Sequence, residues 1–423
     1  MSLSELDLSA LNHLPEPSPR RIAVGVSAQA EKALHRGHPW VFERSIVRQS
    51  RTGAAGDLAV VFDHQRKFLA VGLYDPGDII RVRVLQHRQP ASIDRTWFEQ
   101  KIAAAFELRR PLWEAPLAKL TNGYRLVHGE GDGLPGLVID KYAGTFVIKL
   151  YSLAWMAHLK PVCQALLSIL PAERLVLRLS RKLLDQPEKL FGLRDGEVIA
   201  GTALQAPLVF QENGLYFEAD PVYGHKTGFY FDQRENRARL EQFASGKSVL
   251  NLFAYTGGFS VYAARGGARH ILSVDISQPA LEAALRNMAY NQHLPQVASA
   301  GHEIVAADVF DFLTQAATAG RRFDLVIVDP PAFAHNQRQV AAALAAYAQL
   351  TRLSLRVLQP GGVLVQASCS SRVGAAPFFE TVRQAAESEG RPLHEIERTG
   401  HACDHPIAFK EGAYLKCLFA QAA

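Results

Sequence analysis

A chain of 423 residues with 48% hydrophobic and 21% charged positions is too long for a single core and too apolar for disorder, so it reads as a globular protein of two or three domains. Its four cysteines, Cys163, Cys369, Cys403 and Cys417, form no CxxC pair, which argues against a zinc knuckle or disulfide framework and for a reduced, cytoplasmic setting. The net charge is +5, yet residues 20–110 alone hold 16 Lys and Arg against 9 Asp and Glu; this basic N-terminal region favours an acidic polymer as partner, nucleic acid first among them.

Residues 1–19, with Pro15, Pro17 and Pro19, read as a flexible leader. They lack the basic stretch and apolar core of a signal peptide, and no apolar run in the chain approaches a membrane span. Residues 20–92 carry strand-like runs, IAVGV, LAVVFD, FLAVGLYD and IIRVRVLQ, bounded by Gly, Asp and Pro, with one short helix near 28–36. This is a small β-rich module. A helix from about Ser92 to Arg110, with Trp97, Ile102 and Phe106 at helical spacing, opens a central α+β domain over 93–208. That domain has strands at YRLVHG, LPGLVIDKY, TFVIKLY and RLVLRLS and a helix near 154–169. Runs 185–200 and 205–220 read as turns and hairpins.

From 209 to 423 the texture changes. Apolar runs SVLNLF, HILSVDI, EIVAAD, FDLVIVD and GVLVQAS alternate with helical segments near 258–265, 278–291, 338–357 and 376–389. Strands buried on both faces and separated by helices make a parallel, doubly wound, Rossmann-like sheet. The runs EIERTG and YLKCLFA add two further strands.

Ligands of such sheets sit outside the carboxyl ends of the strands, so the residues that end each strand carry the information. The first strand ends in Asn251-Leu-Phe-Ala-Tyr-Thr-Gly-Gly, where Gly257 and Gly258 allow a sharp turn into a helix and a close approach of ligand. The second ends at Asp275, 24 residues after Asn251, a spacing at which a carboxylate accepts from ribose hydroxyls. The third ends at Asp308, placed for an adenine amino group. Phe253, Tyr255, Ile276, Val309 and Asp329 complete the candidate cofactor set. The GxGxxG pattern and a phosphate-binding lysine are both absent, so a cofactor with ribose and adenine but no phosphate, S-adenosylmethionine, fits better than NAD or ATP. Taken singly, each glycine is a turn residue and Asp275 a helix cap; jointly, at successive strand ends, they read as a site. No metal-ligating cluster stands out.

The fourth strand ends in Asp329-Pro330-Pro331-Ala332-Phe333 and the fifth in Ser368-Cys369-Ser370. Two prolines hold an extended loop with unpaired carbonyls, suited to gripping a flat base, with Phe333 available to stack. If these strands are neighbours, Asp329 and Cys369 stand side by side. Carbon 5 of cytosine is a poor nucleophile until a thiolate adds to carbon 6, and a carboxyl group at Asp329 would assist at N3. A lone strand-end cysteine is otherwise more often a packing residue. His225, Lys226 and Arg234, just ahead of the first strand of this domain, are candidates for contact with substrate.

The segments HPWVF with VGLYDPGDIIRVRVL, RLVHGEGDGLPGLVIDKY, GHKTGFYFDQRENR, NLFAYTGGFSVYAARGGA, SVDIS, DPPAF, ASCSS and DHP…EGAYLK together resemble the bacterial large-subunit (23S) ribosomal RNA cytosine-C5 methyltransferases that carry an N-terminal PUA domain. The resemblance runs from about Arg21 to the end. It implies a PUA RNA-binding domain, S-adenosylmethionine as methyl donor, a cytosine of ribosomal RNA as target, and Cys369 as nucleophile. Many RNA cytosine-C5 methyltransferases also have a cysteine right after the fourth-strand proline; here that position is Pro331. Two other readings stay open. One is methylation of an exocyclic amine of guanine or adenine, which needs no cysteine. The other is a non-catalytic RNA-binding or ribosome-assembly factor. No membrane or metal partner is expected, and the sequence leaves the choice between monomer and homodimer open.

Overall fold

The computed structural model describes residues 6–114, 116, 120–204, 207–224 and 226–423. The chain divides into two compact units. The first comprises residues 1–210, 219–229 and 403–412, and the second 211–218, 230–402 and 413–423.

In the first unit, β1 (Ile22–Val26), β2 (Trp40–Phe42), β3 (Ile46–Gln49), β4 (Leu58–Phe62), β5 (Phe68–Tyr74) and β6 (Ile80–His87) form a six-stranded sheet in the order β2-β6-β5-β4-β1-β3. The helix α1 (Ala28–His35) starts where the Ser27 hydroxyl accepts from the Ala30 amide, a standard N-cap. Alternating Ile22, Val24 and Val26 meet Val41, Val61 and Val82 in one buried cluster. Helix α2 (Arg95–Leu108) is capped by Asp94, which accepts from Trp97 N at 3.0 Å, and is followed by the short α3 (Arg110–Trp113). A second sheet holds β7 (Gly123–His128), β8 (Leu137–Tyr142), β9 (Thr145–Leu150), β10 (Arg174–Leu179) and β11 (Val198–Gly201), in the order β11-β10-β9-β8-β7. The helix expected from 154 begins later, as α4 (Leu159–Ile169), after a 3-10 turn over Leu153–His158. Pro161 is the reason: it has no N–H and is tolerated only in the first turn of an α-helix. The one-turn helix α5 (Arg181–Leu184) follows β10.

The leader departs from expectation. Leu11 and Leu14 are buried in the same core cluster as Leu58, Phe98 and Leu183, so from Leu6 onward it is packed chain rather than a loose tail. Strands β2 and β3 are short enough that runs of alternating residues gave no sign of them.

The second unit takes in most of the hairpin of β12 (Leu208–Glu212) and β13 (Leu215–Ala219), then α6 (Arg234–Leu240). Its sheet holds β14 (Ser248–Leu252), β15 (His270–Asp275), β16 (Gly301–Ala306), β17 (Phe323–Val328), β18 (Leu358–Ser368), β19 (Leu393–Thr399) and β20 (Lys416–Ala422). The order is β16-β15-β14-β17-β18-β20-β19. The first five are parallel, and β20 runs antiparallel to β18 and β19. Helices α7 (Gly258–Arg265), α8 (Gln278–Tyr290), α9 (Pro295–Ser299), α10 (Val309–Thr318), α11 (Val340–Val357) and α12 (Ala375–Ser388) connect the strands. Strand order reverses between β14 and β17, so their carboxyl ends open the crevice where a doubly wound sheet receives its ligand. Among the described residues no helix is long and apolar enough to cross a membrane.

Candidate active site

The chain leaving β14 is conformationally tense. Phe253 has φ +57° and Tyr255 φ +48°, left-handed values that cost a non-glycine residue about 1 kcal/mol or more each and persist only where the surroundings enforce them. Here Ala254 N donates to Val274 O at 3.0 Å and Tyr255 N to Asp275 Oδ2 at 2.9 Å. Gly257, at φ +74°, opens α7, and a Cβ there would lie 2.6 Å from the Cβ of Ala284. At Gly258 a Cβ would meet Arg237 Cδ at 3.0 Å.

Asn251 is buried and its amide donates to Ser260 Oγ at 2.9 Å, which in turn pairs with Ser273 Oγ at 2.7 Å. It therefore braces β14, α7 and β15 from within, and its amide is turned into the packing rather than toward the open edge. Asp275 is not the cap of α8. Ser277 fills that role, and Asp275 Oδ1 accepts from Ser277 N at 2.9 Å. Beside it Ile276 is 77% exposed, an apolar side chain that a flat ring would cover. Asp308 is exposed and caps α10 through Oδ1, which accepts from Phe310 N at 2.8 Å and Asp311 N at 3.2 Å. Its Oδ2 accepts nothing from the described residues, which leaves capacity for a further donor. Val309 is a core residue and can only support this wall from behind.

The other half of the edge is built from β17 and β18, paired in parallel with Val328 opposite Gln366. Asp329 is half-buried and its Oδ1 accepts from Gln233 Nε2 at 2.9 Å. Gln233 is itself fixed, since its Oε1 accepts from Asn236 Nδ2 at 2.5 Å and Asn236 Oδ1 accepts from Thr399 Oγ1 at 2.6 Å. Pro330 is buried and Pro331 exposed. The Cys369 thiol, half-buried, lies 3.7 Å from the Pro330 carbonyl oxygen. Cys163 and Cys417 are different: both are fully buried in their units, and burial pushes Cys163 up to about 12 and Cys417 well above the usual thiol range. Such thiols do not ionise at neutral pH. Cys403 is exposed in the first unit.

The two loops are bolted together by hydroxyls. Ser370 Oγ accepts from Phe333 N at 3.1 Å and Ala334 N at 3.4 Å, and pairs with Tyr347 OH at 3.1 Å. Ser368 Oγ donates to Tyr347 OH at 2.8 Å. The Phe333 ring packs on Tyr347, centroids 5.1 Å apart, so it is part of the support rather than a loose stacking platform. The Tyr230 ring stands edge-on to Tyr255 at 5.1 Å. Burial, followed by the charges of Tyr255, Asp232, Cys369 and Asp329, holds its phenol well above the ordinary range.

Arg234 does not reach solvent. It is 1% exposed, 3.6 Å from Glu212 and over the Phe231 ring, so the expectation that it contacts substrate gives way to an internal, structural role. A guanidinium this deeply placed needs a carboxylate beside it. Lys226 is exposed but belongs to the first unit, and His225 lies outside the described residues. Gln233, Tyr230, Tyr347, Ser370 and Lys416 were not singled out from sequence; all but Tyr347 lie within the segments FYFDQRENR, ASCSS and EGAYLK.

The edge thus offers a glycine turn without room for a side chain, an exposed aliphatic platform and two carboxylates with accepting capacity, a donor set suited to an adenosyl group and a poor one for a pyrophosphate. A family model described as S-adenosylmethionine-dependent methyltransferase matches residues 124–420, and one described as PUA-like domain matches residues 24–87. The chain belongs to the S-adenosylmethionine-dependent methyltransferase family.

This methyltransferase is 45% identical over 409 residues to a protein of Deinococcus radiodurans named ribosomal RNA large subunit methyltransferase, covering 96% of this chain and 99% of that one. It is 39% identical to ribosomal RNA large subunit methyltransferase I of Pseudoalteromonas translucida, over 94% of this chain and 98% of that one. Among solved structures, a SAM-dependent methyltransferase of Streptococcus mutans superposes with TM-score 0.78 at 23% identity, over 94% of this chain and 99% of that chain. A methyltransferase complexed with SAH gives 0.78 at 22% identity, over 95% and 99%. At those identities the likeness speaks to the fold. S-adenosylmethionine is the cofactor of the family, and Gly257, Ile276, Asp275 and Asp308 are the residues whose geometry fits it. Among the described residues no cluster of three or more His, Cys, Asp or Glu could hold a metal ion.

Proposed function

We propose that the protein methylates carbon 5 of a cytosine in large-subunit (23S) ribosomal RNA, in the cytoplasm, with Cys369 as covalent nucleophile and Asp329 as its partner. The observation that carries this is the half-exposed Cys369 thiol resting 3.7 Å from the carbonyl of Pro330, one residue past Asp329. The names of the relatives support the RNA, and the basic, PUA-like region at 20–92 supports binding to it.

Bound S-adenosylmethionine supplies an electrophilic methyl group on its sulfonium. The Cys369 thiolate adds to carbon 6 of the base, and the electron pair displaced toward the ring makes carbon 5 nucleophilic. The Asp329 carboxyl, in its protonated form, donates its proton to N3 as that nitrogen gains electron density, and Gln233 holds it at the correct angle. Pro330 and Pro331 present carbonyls to the edge of the base. After carbon 5 takes the methyl group, a base removes its proton, the carbon 5–carbon 6 double bond re-forms and the thiolate leaves. Pro331 replaces the second cysteine of related enzymes, so release falls to groups other than a thiol.

Cys369→Ala should lower 5-methylcytosine formation by at least ~10³-fold while cofactor affinity holds within about twofold, since it removes a bond made only during reaction. RNA containing 5-fluorocytosine should trap a covalent complex with the parent enzyme and none with the variant. Retained methyl transfer by Cys369→Ala would instead favour exocyclic-amine chemistry, and failure to bind S-adenosylmethionine in calorimetry would favour a scaffold role. RNA affinity should fall steeply with added salt, as phosphate contacts release counterions.

A further inference from the structure

Lys416 has no part in the chemistry above, yet it is built into the same loop. It opens β20 directly opposite Ser368 of β18 and is 3% exposed. Its three N–H groups all go to main-chain carbonyls, Ser370 O at 2.6 Å, Val373 O at 2.7 Å and Tyr414 O at 2.9 Å. Among the described residues no carboxylate forms an ion pair with it. Carbonyls satisfy the donors but do not neutralise the charge, and a buried ammonium without a counter-charge is costly. A neutral amide would meet the same carbonyls more cheaply, so the charge itself needs an explanation. The titratable group that favours the ammonium is Cys369, whose negative form works against the burial that brings Lys416 down to about 8.

We infer that Lys416 is a positioning residue for Cys369: it pins the turn over residues 369–373 through three carbonyls and supplies the positive charge that favours the thiolate. This rests on the covalent reading of Cys369. Among the described residues, Tyr230 ahead of α6 and Tyr347 from α11 feel the charge of both the thiol and Asp329, at the end of β17. Asp329, when ionised, opposes the thiolate, and the two phenols are held neutral, chiefly by burial. Behind Lys416, Tyr414 donates its hydroxyl to Asp232 at 2.9 Å. Lys416 is the cation among these groups. A cation beside a thiol lowers its pKa and raises the reactive fraction at neutral pH.

The test uses the full chain with Cys403→Ser, so that the exposed thiol does not compete. Alkylation of Cys369 by iodoacetamide, followed by peptide mass spectrometry, is measured against pH in the parent, K416M and K416Q. The midpoint should rise by at least about one unit in both variants. Gln keeps donors for the carbonyls, so a purely structural role predicts that K416Q restores the parent midpoint, and that result would overturn the inference. Should both variants fail to fold, the reciprocal measurement decides. In C369S, lysine Cε NMR should show the Lys416 midpoint falling, and an unchanged midpoint refutes the coupling. Methyl transfer by C369A is followed in parallel: if it persists, the covalent chemistry fails while the alkylation result still stands or falls on its own.

Discussion

The edge formed by β14, β15 and β16 and the edge formed by β17 and β18 belong to one sheet, but they are made by different means. The first is shaped by backbone: two non-glycine residues and Gly257 in left-handed conformations, an amide of Tyr255 held by Asp275, and Asp308 turned back to cap α10. The second is shaped by side chains drawn from afar. Gln233, Tyr347, Ser370 and Lys416 reach Asp329, the DPPAF loop and the loop after β18 across separations of 23 to 96 residues. A rigid backbone cradle suits a ligand that is the same at every turnover. A cross-linked pair of loops suits a reacting base, where a shift of a fraction of an ångström changes the rate.

Four changes would break or sharpen this contrast. Gly257→Val puts a side chain into Ala284 at a φ that valine rarely adopts; S-adenosylmethionine affinity should drop by ~100-fold or more in calorimetry. Near-parent affinity would mean that the turn does not shape the cradle. Next in size is His302, whose Nε2 lies 2.8 Å from Ser273 Oγ behind this half. Burial, then His270, holds it down to about 4. Below pH ~6.5 the unfolded chain takes up a proton that the folded one refuses, so stability falls from there down to about pH 4, by up to roughly 3 kcal/mol. Urea unfolding of His302→Asn across that window should show a flatter profile than the parent.

On the other half, Gln233→Leu removes the donor to Asp329 and should cut kcat about tenfold with cofactor affinity unchanged. A parallel loss of cofactor binding would show that the two halves are not separable. Smallest is Ser370→Ala, which frees two loop amides; about 1 kcal/mol of stability should go, read as a lower urea midpoint, with a severalfold fall in kcat/KM.

The same contrast explains what could be read in the sequence. The alternation of buried strands and helices after residue 209 was legible because β17, FDLVIV, is apolar at nearly every position and a strand buried on both faces has no other way to be written. Asp275, Asp308, Asp329 and Cys369 were chosen as candidates by the rule that strand ends face the ligand. Gln233, Tyr347 and Lys416 follow no such rule, because their partners are fixed only once α6, α11 and β20 have packed. Arg234 misled for a related reason: a cation next to a candidate site looks like an RNA contact until Glu212 is seen beneath it. Leu11 and Leu14 were hidden by three prolines that mark irregular chain without marking it as exposed.

The route of the polypeptide between its two units has a consequence for biosynthesis. Residues 403–412 belong to the first unit although they are translated after residues 230–402 of the second. Within that unit Asp404 is fully buried, accepting from Arg125 N at 2.8 Å, while its carbonyl accepts from Arg109 Nη2 at 2.8 Å. A nascent chain that has emerged only as far as residue 400 therefore carries an N-terminal half still missing part of its interior. No single cleavage of the gene can yield both halves whole, and a ribosome pausing before residue 403 would leave the earlier-made half waiting for this segment.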